Sequence, residues 1–289
     1  MFGLRLKNGT KKTQQAGCQP IKGALKRVCL PGLLSFLTAV SMPIQAAEIN
    51  LLDWRNPLYV ERAFIEIALK KEYRQTDMRL HKWQAPILYQ FEYHTPYKNK
   101  NRMTERMFDA HFEHLHRITG HPIRRAKKGE YANLTIVLTQ DKLYKRDIEH
   151  YTRQAPNGLE RDSHCIAHYQ TDNTGAIDYA NIILPLDHVV SRGLLATCVV
   201  EESTQIMGLP NDSDWVNPSI ANDKSKIEFL TGLDYTLLKI LYSNELQPGM
   251  PLKESRPKIR ALIRLFERDG TIDRAVQEVN RYGLYPLLN

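Results

Sequence analysis

Apolar positions recur along this chain at two spacings, and the switches between them predict an order of elements. From Pro57 to Tyr73, Val60, Phe64, Ile67 and Ala68 recur three and four residues apart, on one face of a helix. Ala85 to His94 is rich in β-branched and aromatic residues and closes at Thr95-Pro96, as a strand does. Met103 to Ile118 returns to helical spacing through Met107, Ala110, His114 or Leu115, and Ile118, with Gly120 where a helix C-cap is expected. Further strands are expected at 132–138, 164–169 and 179–184. Pro185-Leu186-Asp187 ends the last of these, and Asp187 is placed to cap one long helix running to Met207. After a polar turn from Asn222 to Ser225, Thr231 to Tyr242 is helical with Leu233, Leu237, Leu238 and Leu241 inward, and Pro248-Gly249 breaks the chain. Pro257 to Arg268 and Thr271 to Tyr282 form a helical hairpin about Asp269-Gly270. This is an α+β order: one twisted mixed sheet, a long helix beside it, and a helical C-terminal part.

Charge changes the picture at the N-terminus. The formal net charge is +8, yet residues 1–47 hold seven Lys or Arg and no acid. Without them, 33 basic residues face 32 acidic ones, a net of +1, which removes the electrostatic footprint of a nucleic-acid binder. The same stretch has a basic beginning, an apolar run from Leu33 to Met42 and small residues at Ile44-Gln45-Ala46 before Ala47-Glu48. That layout predicts a signal peptide cleaved near Ala46 or Ala47, a periplasmic or secreted product, and no transmembrane span in the mature chain. The expected organisation is a leader at 1–47, an N-terminal helical extension at 48–84, a main domain at 85–250 and a terminal hairpin at 251–289. In an oxidising compartment, Cys165 and Cys198 are expected to form one disulfide, two buried free thiols being the alternative.

Candidate chemistry is concentrated in Glu201-Glu202-Ser203-Thr204-Gln205-Ile206-Met207-Gly208-Leu209-Pro210-Asn211-Asp212. A zinc-protease helix reads H-E-x-x-H, extended in one branch to H-E-x-x-H-x-x-G-x-x-H/D. On that frame Glu201 takes the first ligand position, Glu202 the general base, Gln205 the second ligand, Gly208 the turn and Asn211 the third ligand. Zinc takes imidazole, thiolate or carboxylate, and the neutral amides of Gln205 and Asn211 suit calcium or magnesium better. The expected site is therefore non-standard, with no metal and no other cofactor. Glu201, Gln205, Asn211 and Asp212 are its candidate binding residues and Glu202 its candidate catalytic carboxylate. The alternative for the motif is structural: Gln205 hydrogen-bonding the returning Asn211-Asp212 loop in place of a metal clip. His111 and His114 on one predicted helix, and His164 with His168 on one strand, are secondary candidates, with solvated surface histidines the ordinary alternative.

The run C-V-V-E-E-S-T-Q-I-M-G-L-P-N-D-S from Cys198 is followed by N-P-S-I-A-N-D, L-T-G-L-D-Y-T-L-L-K-I-L-Y and Q-P-G-M. With Lys82 to Ile87 and Ile118-Thr119-Gly120, it resembles a bacterial family of exported proteins known as domain of unknown function 2927. A more distant resemblance runs to metzincins. Ser219 to Asn222 stands where their turn after the zinc helix does, without its methionine, and Leu230-Thr231 through Asp234 to Leu241-Tyr242 matches their following helix. This resemblance implies a metzincin-like (zincin-like) fold with a degenerate site and a cleft between the motif helix and an edge strand. Two functions are expected of such a cleft. One is non-catalytic binding of a peptide or envelope partner by strand addition. The other is a peptidase-like hydrolase using Glu202 as general base with a non-standard metal.

Overall fold

The computed structural model describes residues 53–70, 77–95, 101–153, 158–222 and 224–288. The expected leader and its cleavage site lie outside the described residues. Helix α1 (Pro57–Leu69) is capped by the Asn56 side chain, which accepts from the Leu58 amide, and buries Val60, Phe64, Ile67 and Ala68 as expected. Two short runs follow, β1 (Lys82–Trp83) and β2 (Ile87–Tyr93). Helix α2 (Arg102–Thr119) ends on Gly120 at φ 71°, whose amide bonds the His116 carbonyl. Next come β3 (Ile123–Arg125), β4 (Leu134–Thr139), α3 (Asp141–Thr152), α4 (Leu159–Asp162), β5 (Ile166–Thr171) and β6 (Ala176–Pro185). The chain closes with α5 (Leu186–Ser191), α6 (Leu195–Gln205), α7 (Gly232–Leu241), α8 (Leu252–Arg268), α9 (Thr271–Arg281) and α10 (Tyr285–Leu288).

The sheet is mixed and mostly parallel. β3, β2, β4 and β6 pair in parallel in that order, in registers such as Tyr89 with Leu134 and Leu134 with Ala180. β1 adds to Ala176 and Ile177 of β6, also in parallel. β5 is the exception, antiparallel to β6 and, among the described residues, paired with no other strand. Every residue of β4 is buried, the pattern of a strand covered on both faces. Alternate residues divide the cover: Leu134, Ile136 and Leu138 join the larger core, whereas Val137 packs with Ile183, Ile166 and the α3 residues Tyr144 and Ile148. The larger core also contains Val60 of α1, Trp83 of β1, Ile259 of α8 and Ile272 of α9. The segments expected as an extension and a hairpin thus belong to the same apolar core as the sheet. No helix among the described residues is long and apolar enough to cross a membrane.

Three expectations need correction. The long motif helix is two: α5 stops at Ser191 and α6 starts at Leu195, because Gly193 takes φ 70° and the Leu194 amide turns back to the Val189 carbonyl. Asp187 caps neither; its carboxylate accepts from the Asp141 amide and so serves the N-terminus of α3. Helix α3 itself escaped the apolar pattern because its buried stripe, Tyr144, Asp147, Ile148 and Thr152, is half polar. The terminal hairpin also begins five residues before Pro257, which lies inside α8 at a solvent-exposed position.

Candidate functional site

Helix α6 presents the motif, and it is held at its middle and just past its C-terminus. The Cys165–Cys198 disulfide, with Cα atoms 6.0 Å apart, ties its middle to the residue before β5. Past its C-terminus, the Ile206 carbonyl accepts from the Trp83 indole at 2.7 Å and the Met207 carbonyl from the Tyr242 hydroxyl at 2.9 Å. Gly208 then reverses the chain at φ 104°; a Cβ there would lie 2.0 Å from the His81 carbonyl oxygen, so backbone and neighbour both demand glycine. The expected turn residue is therefore where the frame placed it.

The returning loop comes back on Asp212. The Gln205 side-chain amide donates to both carboxylate oxygens of Asp212, at 3.0 and 3.2 Å. Asn211 is directed elsewhere: its amide N–H bonds the Ile67 carbonyl of α1 and its side chain donates to the Asp212 carbonyl. A side chain–side chain clip thus closes the loop one residue past Asn211, the position the zinc-protease frame gives to its third ligand. Around it lies a cavity of about 230 Å³ between α6 and the start of β5. Glu201, Glu202, Gln205 and Asp212 line it from one side, Asp162, His164 and Ile166 from the other; Asn211 and His168 are not among the lining residues. Glu201 and Glu202, 100° apart on a helix, still border the same space, because the cavity follows a broad face of α6 that also carries Thr197, Cys198 and Gln205.

The electrostatics are acidic. Four carboxylates, Asp162, Glu201, Glu202 and Asp212, face one imidazole. Glu202 is 4% exposed, and its charge adds to burial in raising the pKa of the Tyr144 phenol, which bonds the Ser163 hydroxyl at 2.9 Å. His164 Nδ1 meets His188 Nε2 at 2.8 Å, and His188 Nδ1 lies 3.3 Å from the Asp141 carboxylate and 3.2 Å from the Arg192 guanidinium. Partial burial, with His188 and Arg192 nearby, lowers the His164 pKa, so the ring that edges the cavity is neutral at pH 7.

Zinc does not fit this donor set. The Gln205 amide nitrogen is turned onto Asp212, Asn211 is outside the cavity, and among the described residues no three His, Cys, Asp or Glu side chains converge as metal ligands. His111 and His114 are not solvated, being 1% and 3% exposed beneath α9 and α10, and among the described residues no third ligand joins them. Sequence reasoning missed Asp162, Tyr144, Asp141 and His188. The signal for Asp162 was present, since a Cys165–Cys198 bond must carry its neighbours up to 198–202; Tyr144, Asp141 and His188 had none.

The family model described as "Protein of unknown function (DUF2927)" matches residues 57–261, most of the chain, and the chain belongs to that family. The match spans α1, the whole sheet, the motif helix and the first part of α8. No curated protein and no solved structure matches the chain.

Proposed function

We propose that this chain is an exported, non-catalytic binding module, and that its cavity takes a side chain of a peptide or envelope protein while the ligand backbone adds a strand to β5. The observation that carries this is the juxtaposition of an acidic cavity with an antiparallel strand that, among the described residues, is paired on one side only. An extended peptide alongside β5 would gain main-chain hydrogen bonds, and a Lys or Arg side chain complements the carboxylates of Asp162, Glu201, Glu202 and Asp212. A metzincin-like ancestry fits the same arrangement: a mostly parallel sheet, one antiparallel edge strand, and a motif helix closed by Gly208. In this reading the Gln205–Asp212 clip does mechanically what a metal does in a zinc protease, holding the loop without supplying chemistry.

The test is titration of the chain with extended peptides carrying Lys, Arg or Glu at the central position, followed by fluorescence polarisation and amide hydrogen exchange. Basic peptides are expected to bind, to protect amides across Ile166–Thr171, and to bind roughly ten-fold more weakly to a Glu201→Gln/Asp212→Asn variant. Binding that leaves β5 unprotected, or that ignores the two substitutions, sinks the reading. Peptide cleavage lost in Glu202→Gln would establish the hydrolase instead; the place of that carboxylate in the cavity keeps it the residue to examine.

A further inference from the structure

On the far side of α8 from the apolar core, Lys253, Arg256, Arg260 and Arg264 follow one another at helical spacing and line a shallow groove of about 490 Å³ with Leu252 and Pro257. Among the described residues, a single carboxylate serves this stripe. Glu61, on α1 and 4% exposed, accepts from Arg256 Nε at 2.6 Å and from Arg260 Nε at 2.8 Å, one guanidinium on each oxygen. Burial alone would raise the Glu61 pKa, but the Arg260 and Arg256 bonds outweigh it and hold the group below its ordinary value, so it is ionised at pH 7.

The geometry has a consequence for the outward ends of the two arginines. Each is fixed from below through Nε, which leaves both Nη nitrogens without an acceptor among the described residues, and each side chain is still about half exposed, at 47% and 48%. Lys253 and Arg264, at either end of the stripe, have no ion pair or hydrogen-bonding side-chain partner among the described residues. Four cations along one helix face repel one another. Holding two guanidinium forks in place before a ligand arrives removes part of the ordering cost of binding one. Planar forks in this arrangement suit a tetrahedral oxyanion, which accepts paired N–H donors.

We propose that this face of α8 is a binding site for a phosphate group, with Glu61 as the positioning residue that aims Arg256 and Arg260, and Lys253 and Arg264 as flanking charges. It is separate from the acidic cavity and does not depend on how that cavity is used. The phosphate can belong to free phosphate or to a lipid headgroup, and the experiment separates the two. The chain is titrated at low ionic strength with inorganic phosphate, and in parallel with phosphatidylglycerol and phosphatidylcholine vesicles. Saturable binding of inorganic phosphate marks a free-phosphate site; binding of phosphatidylglycerol vesicles alone marks a headgroup site. In either case Lys253→Ala/Arg264→Ala, which removes no ion pair or side-chain hydrogen bond among the described residues, is expected to weaken binding about ten-fold, and Arg256→Lys/Arg260→Lys, which keeps charge but loses the forks, by a comparable factor. Failure of all probes to bind, or binding that both double variants leave unchanged, overturns the site. Binding that the lysine pair alone sustains in full overturns the role given to the forks.

Discussion

His111 and His114 stand one turn apart on α2 with ring centroids 6.3 Å apart, enclosed by Val200 of the motif helix and by Val279, Tyr282 and Leu284 of the terminal segment. Burial pushes the His111 pKa down to about 3, with the neighbouring His114 adding to the effect and a bond to the Val200 backbone opposing it. Burial, then Arg117, pushes His114 down to about 4. Both folded-state values lie below the unfolded value of 6.5, so the unfolded chain takes up these protons first. Stability from this pair is fully present above pH 6.5 and is lost as pH falls from there, down to about 4 for His114 and about 3 for His111, at about 1.4 kcal/mol per pH unit for each histidine that titrates. Urea denaturation at a series of pH values across that window is expected to show the fall, and His114→Gln to reduce its slope by about half. An unchanged slope in the variant would place the acid sensitivity on groups other than His114.

At the scale of elements, the acidic cavity exists because two pieces of chain are joined that are not neighbours in sequence. The disulfide closes a loop with a sequence separation of 33, and such a loop contributes roughly 4 kcal/mol by the loop-entropy estimate. Reducing it, or making Cys165→Ser/Cys198→Ser, is expected to lower the unfolding free energy by 2–4 kcal/mol, within the range of about 0–5 seen for disulfides. Equilibrium denaturation with and without reductant measures that, and hydrogen exchange is expected to rise first in β5, whose other hold is its single pairing with β6. A second clip works at the opposite end of the motif loop. The Asp234 carboxylate accepts from the Ser219 hydroxyl at 2.6 Å and from the Ile220 and Thr231 amides, while Thr231 caps α7 in return. This holds the turn at 219–222 against α7. Lys82, buried with its ammonium donating to the Leu241 and Ser243 carbonyls, closes the other end of α7; burial lowers its pKa to about 8.

For the whole molecule, a chain ending at Gly249 is the informative truncation. It would strip Ile259, Ile263 and Phe266 of α8 and Ile272 and Val279 of α9 from a core they share with α1 and α7. It would also leave Glu61 buried without its two arginines. Loss of a cooperative thermal transition is the expected outcome, read by circular dichroism; a sharp transition would mean that the terminal helices fold as a separate unit. Much of this architecture was legible beforehand. Helices α1, α2, α7 and α9 and strands β2, β4, β5 and β6 carry their own periodicity and stop signals, because burying one face of a helix or strand imposes a repeat on local sequence. The turn at Gly208 was legible for a similar reason, since a reversal that needs positive φ admits few residues. Family membership also follows from sequence alone, as it rests on the order of residues and not on their contacts. Tertiary structure decided what depends on distance in space: that Asp212 and not Asn211 meets Gln205, that Asp162 and His164 stand opposite Glu201 and Glu202, that His111 and His114 are buried together, and that Glu61 aims two arginines of a helix almost two hundred residues later. Periodicity tells a side chain which face it occupies, whereas a site is a convergence of faces, and only packing determines which faces meet.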